Sequence, residues 1–141
     1  GWEDTPDPQD GKIKLGVQIT PLAEILESYK GKGVALRRAV HCDKSHFSHE
    51  NLKKVHDVVY SKPYDIVPLD WVEALIRRDP HAQKTDRFWC SALVGYIYTQ
   101  CGILENETDW SILRPCDFSI NAEKLTFTDG CSLGSTERNI K

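Results

Sequence analysis

The clearest hydrophobic pattern in the chain runs from Phe88 to Leu104, FWCSALVGYIYTQCGIL, where Leu93, Tyr96 and Ile97 recur at helical spacing. Gly102 stands where a left-handed residue ends such a helix. The pattern predicts a helix with Cys90 at its start, one turn before the residues that face the core. Upstream, KLGVQIT (Lys14 to Thr20) alternates apolar and polar positions and predicts a short strand. Thr20 then caps a helix with Pro21 at its first position, and Leu22, Ile25, Leu26 and Tyr29 give it one apolar face until Gly31 and Gly33. VALRRAV, Val34 to Val40, predicts the next strand, with Val34, Leu36 and Arg38 on one side of it.

A second amphipathic helix is predicted from Ser48, whose hydroxyl can cap the free amides while Glu50 suits the positive end of the dipole; its buried face would be Leu52, Val55, His56 and Val59. Pro68 opens a short helix carrying Leu69, Val72, Leu75 and Ile76, and RRDPHAQKTD is a polar loop leading to Cys90. After Gly102, ILRPCDFS reads as extended and irregular. Residues 121–141 read as a strand pair or tail, with KLTFTDGCSLG folding back at Asp129-Gly130. Residues 1–12 read as a loop, with Trp2 to Asp4 as the end of a strand.

Composition bounds the outcome. A chain of 141 residues, 40% hydrophobic, fills one core and divides poorly into two, so a single domain over residues 1–141 is expected. The formal net charge is −3, with Lys and Arg scattered among Asp and Glu, which provides no basic face for nucleic acid. No apolar run reaches the roughly 18–20 residues that span a bilayer, so no transmembrane segment is expected. The five cysteines, Cys42, Cys90, Cys101, Cys116 and Cys131, are odd in number and include no C-x-x-C spacing. A zinc site, another cofactor or a disulfide framework is therefore not expected; an intracellular or particle-associated, reducing setting is. With no methionine in the sequence, the chain is expected to be part of something longer.

Cys90 is the residue with chemistry to offer. The first-turn amides of a helix lack backbone acceptors and carry about half a positive charge, which favours thiolate over thiol and can hold the oxygen of a tetrahedral intermediate. Against this stands packing, because free cysteine is among the most buried residue types and Phe88 and Trp89 adjoin it. A thiol nucleophile also needs an imidazole. All five histidines, His41, His46, His49, His56 and His81, precede Cys90, so within this chain only a histidine-first order is open.

The segment from Phe88 to Leu104 resembles the nucleophile helix of the NlpC-type papain-like cysteine hydrolases at Phe88, Cys90, Ser91, Leu93, Val94, Tyr98, Gly102 and Ile103. GVQITPLAEILESYKGKGVALRR, Tyr64-Asp65 and RPCDFS extend the likeness to the circularly permuted, YiiX-like branch that includes the lecithin:retinol acyltransferase type. The resemblance implies an α+β papain-like fold, a small antiparallel sheet packed against the nucleophile helix with additional helices. It also implies hydrolysis of a peptide, amide or acyl substrate, with Cys90 as nucleophile and Phe88, Trp89 and Ser91 at the substrate. In such proteins the histidine lies on an early strand in a Ser-His-Val-Gly-like setting, which is expected upstream of Gly1. Glu3 then matches the orienting acid, and His41 is the reserve base. A rival expectation is a catalytically inactive structural or binding module of the same fold, possibly a component of a larger particle or assembly.

Overall fold

The structure is a computed structural model that describes residues 6–28, 36–64, 85 and 88–139. Over these residues it is a small α+β protein with a two-stranded antiparallel sheet and a few helices. In chain order the elements are helix α1 (Leu22–Ser28), strand β1 (Leu36–His41), helix α2 (His49–Val59), helix α3 (Cys90–Gln100) and strand β2 (Ser132–Asn139). Short 3-10 helices occur at Lys44–Phe47, Trp110–Ile112 and Pro115–Phe118. The expected helix from Pro68, the glycines at 31 and 33, the loop containing His81 and the candidate acid Glu3 lie outside the described residues. No described helix is long and apolar enough to cross a membrane.

Helix α3 is the centre of the molecule. Its end forms as the sequence requires: Gly102 adopts a φ of 71°, its amide donates to Thr99 O at 3.0 Å and the Ile103 amide donates to Tyr98 O at 2.8 Å. This paired capping satisfies two of the last carbonyls of the helix. Gly95 allows the 3-10 turn at Trp110 to come close, since a Cβ at 95 would lie 2.5 Å from Leu113 Cδ1 and 3.1 Å from Trp110 Cβ. The Ser91 hydroxyl donates to Leu113 O at 2.7 Å in the same contact. The core then builds outward through the Phe88, Tyr96 and Trp110 rings to Ile103, Leu104 and Leu113, with Val55 and Val59 supplied by α2.

Helix α2 begins as expected, with the Ser48 hydroxyl accepting from the Asn51 amide at 3.2 Å. Its buried stripe is narrower than expected. Val55 and Val59 are enclosed, while Leu52 is 42% exposed and His56 is half-buried, stacked on Tyr60 and bonded through Nε2 to Gln9 at 3.1 Å.

Three expected strand features are corrected. The segment at Lys14 to Thr20 is extended but forms no regular strand: it meets the chain at 61–64 through the bridge between Gly16 and Pro63, with Val17 N donating to Lys62 O at 2.8 Å. RPCDFS is not extended throughout, because Pro115–Phe118 closes as a 3-10 turn with the Arg114 amide bonded to the Asp117 carboxylate at 2.8 Å. The C-terminal strand pair does not form. Gly130 turns the chain with a φ of 78°, but the two arms find separate partners: Leu104 bridges Phe127, and β2 pairs with β1. Non-local backbone pairing outcompetes the local hairpin because the buried apolar residues Ile103 and Leu104 lie on one arm's side only.

The β1–β2 ribbon carries an irregularity that matters for the site. Arg38 faces Glu137 and Val40 faces Leu133, so β2 has two extra residues opposite Ala39. Such a bulge takes carbonyls out of the ladder and makes them available elsewhere. Here the Gly134 carbonyl accepts from Arg38 Nε at 2.8 Å and from its terminal nitrogen Nη2 at 2.6 Å.

Candidate active-site cleft

Cys90 is exposed and occupies the first position of α3. It stands at a cleft of about 360 Å³ whose lining also includes Arg38, Ser91, Val94, Tyr98, Phe118 and Leu133. Three elements therefore meet there: the face of α3 from Cys90 to Tyr98, the 3-10 turn at Pro115–Phe118 and the β1–β2 ribbon. Helical spacing places Cys90, Val94 and Tyr98 on one face, which becomes the cleft floor.

The helix start is chemically open. Trp89 precedes it with extended dihedrals, φ −93° and ψ 168°, and supplies no side-chain cap. The first helical bond runs from the Leu93 amide to Trp89 O at 2.9 Å. The amides of the first turn are donors directed at the end where the Cys90 thiol sits, and they favour negative charge there.

Arg38 fixes the opposite wall. Beyond its bonds to Gly134 O, it donates through Nη1 to Phe118 O at 2.7 Å. One guanidinium thus ties the ribbon to the 3-10 turn, and its fork geometry makes it suited to holding two carbonyls at once. Arg38 therefore pairs with backbone carbonyls. Glu137, its partner in the register, also lines the cleft. Burial pushes the Tyr98 phenol above its ordinary value, Cys42 adds to that and Arg38 opposes it, so Tyr98 is a neutral hydrogen-bonding group at neutral pH.

The expected site residues separate. Cys90 and Ser91 share the cleft, although the Ser91 hydroxyl is committed to Leu113 O. Phe88, expected at the substrate, is 2% exposed and packs against Tyr96 and Trp110 within the core. It is pulled inward because its amide donates to Pro63 O at 3.1 Å, which anchors the strand-like entry to the helix. Trp89 is partly buried against the same core and is not among the residues lining the cleft. His41 is exposed at the end of β1, its Nε2 beside Gly134, and it too is not part of the lining.

No histidine among the described residues lines the cleft. His46 is held elsewhere: its Nδ1 donates to Cys101 O at 2.8 Å and its Nε2 faces Cys131 Sγ at 3.6 Å. Among the described residues there is no group of three or more His, Cys, Asp or Glu that could hold a metal ion.

Sequence reasoning missed Arg38, Tyr98 and Phe118 as parts of the site, together with Leu133 and Glu137. Val94 and Tyr98 were recoverable from their spacing relative to Cys90. The other residues come from a distant strand and turn, and no local signal joins them to α3.

Comparison of the chain with protein-family models, with curated proteins and with solved structures finds no match.

Proposed function

We propose that this chain is a thiol hydrolase of the permuted papain-like kind, acting on a peptide, amide or acyl substrate. The observation that carries the reading is the placement of an exposed thiol at an uncapped helix start, on the rim of a largely apolar cleft. On this reading Cys90 attacks the substrate carbonyl carbon and first-turn amides of α3 receive the oxyanion. Val94, Tyr98, Phe118 and Leu133 accept the apolar part of the acyl group. A histidine preceding Gly1 takes the thiol proton and returns it to the leaving group, Glu3 orients that ring, and His41 is the reserve base.

A second reading is a binding module that has the fold and lacks the reaction. It is favoured by the absence of an imidazole from the cleft lining among the described residues.

The test is hydrolysis of a panel of peptide, amide, ester and thioester substrates by the full-length protein, compared with its Cys90→Ala variant. Loss of turnover in the variant, with covalent capture of an electrophilic acyl probe at Cys90 in the parent, supports the hydrolase. Equal turnover refutes it, and a parent that binds such ligands without turnover or capture establishes the binding module.

A further inference from the structure

Away from the cleft, the far end of the ribbon brings two more thiols together. Val40 faces Leu133 and His41 faces Ser132. The same register carried one residue further sets Cys42 opposite Cys131. Directly opposed residues of an antiparallel pair have Cα atoms about 4.5–5.5 Å apart, within the span that a disulfide bridges. The surroundings of Cys42 agree with the register, since after burial Cys131 is the next of the neighbours that push its thiol above the ordinary value.

An imidazole completes the group. The Cys101 carbonyl can only accept, so His46 Nδ1 carries the proton and the lone pair of Nε2 is directed at Cys131 Sγ, 3.6 Å away. Cys131 is 8% exposed and Cys42 is half-buried. The approach therefore admits a small oxidant and excludes a protein.

We propose that Cys42 and Cys131, with His46 beside them, form a redox dithiol that closes to a cross-strand disulfide on reaction with a hydroperoxide. Cys131 passes its proton to His46 Nε2 and attacks the peroxide oxygen. The O–O bond breaks, the departing hydroxide takes the proton from His46 and leaves as water, and Cys131 becomes a sulfenic acid. The Cys42 sulfur then attacks the Cys131 sulfur, and the Cys42 proton leaves with the hydroxyl as a second water. Two thiols and one hydrogen peroxide give one disulfide and two waters. Burial, with Cys131 and Asp43 adding to it, holds the Cys42 thiol above its ordinary value, so it stays protonated at neutral pH and carries the proton that the second step releases with the water.

The experiment treats the reduced protein with hydrogen peroxide, alkylates the remaining thiols and maps the linked peptides by mass spectrometry. The expected result is a Cys42–Cys131 link that dithiothreitol reverses, accompanied by a rise in Tm of roughly 10 °C because the bond closes a long loop. Cys42→Ser and Cys131→Ser each remove the link and the rise, while Cys116→Ser retains both. His46→Gln slows link formation by about tenfold or more. A dominant link between any other cysteines, or full alkylation of Cys42 and Cys131 after treatment, overturns the proposal. An unchanged rate in His46→Gln overturns the role of the imidazole.

Discussion

Two thiols of this protein differ in what surrounds them. Cys90 is exposed, stands at an open helix start and borders a cleft, yet no histidine among the described residues reaches that cleft. Cys131 has an imidazole against its sulfur and another thiol across the ribbon, but it is nearly enclosed and lines no part of the cleft. Among the described residues the first site has access without a base, and the second has a base without access. Access decides whether a bulky carbonyl substrate can be reached, and a base decides how readily the sulfur gives up its proton. The two properties are set by different parts of the fold, so the two proposed roles, hydrolytic for Cys90 and redox for Cys131, make separate demands on it.

The sharpest way to break this comparison is at Cys90 itself. Cys90→Ala is expected to lower turnover of an acyl substrate by about 10³-fold or more, while the Cys42–Cys131 link still forms. Turnover by steady-state assay and peptide mapping on the same preparation check both halves. If Cys131→Ser abolished turnover and Cys90→Ala did not, the assignments would be reversed.

Exposure supplies the next contrast. A bulky alkylating reagent applied to the reduced native protein is expected to modify Cys90 at least about tenfold faster than Cys131, as followed by mass spectrometry over time. Equal rates would mean that the ribbon end opens readily and that the distinction in access does not hold.

Arg38 links the two regions, since it holds the bulged carbonyl of Gly134 on the ribbon and the Phe118 carbonyl on the cleft wall. Arg38→Ala leaves both acceptors without that partner and is expected to cost about 1–3 kcal/mol in urea unfolding, with KM for an apolar acyl substrate rising more than kcat falls. Gly95→Ala acts at the core face of α3, against the turn at Trp110. The new Cβ collides with Leu113 and Trp110, and the overpacking, partly offset by better helix propensity, is expected to cost about 1–2 kcal/mol without slowing formation of the disulfide.

The smallest effect is expected from a region remote from both thiols. Burial alone would push the Asp7 carboxyl up, but the Gln9 amide, Lys14, Tyr60 and the Ile19 amide outweigh it and hold it at about 2 against an ordinary 3.8. Its stabilising contribution is therefore complete above about pH 4 and is lost as pH falls toward 2. Lys14 is held above its ordinary value because Asp10 and Asp7 outweigh its burial, so it stays charged across that range. Asp7→Asn is expected to flatten the acid limb of a Tm-against-pH curve between pH 4 and 2 while leaving the Cys90 and Cys131 labelling rates unchanged at pH 7.

Much of the local structure was legible in the residue order. The α3 helix, its stop at Gly102, the Ser48 cap of α2 and the strand ending near Val40 each follow from signals within a few residues of one another, which is the range over which helical periodicity and capping act. The C-terminal pair failed for the opposite reason: a turn signal at Asp129-Gly130 specifies a reversal but not what each arm will pair with. Phe88 failed because aromatic residues beside a reactive thiol serve equally as cleft wall or as core, and only the packing of Tyr96 and Trp110 around it decides.

By itself the sequence determined an α+β chain in which Cys90 opens a strongly apolar helix, because helix starts and stops are short-range properties. The tertiary structure alone decided that Arg38, Phe118 and Leu133 would stand across from that thiol, and that His46 would turn its free nitrogen to Cys131. Those meetings join residues tens of positions apart, and they depend on the register of one ribbon.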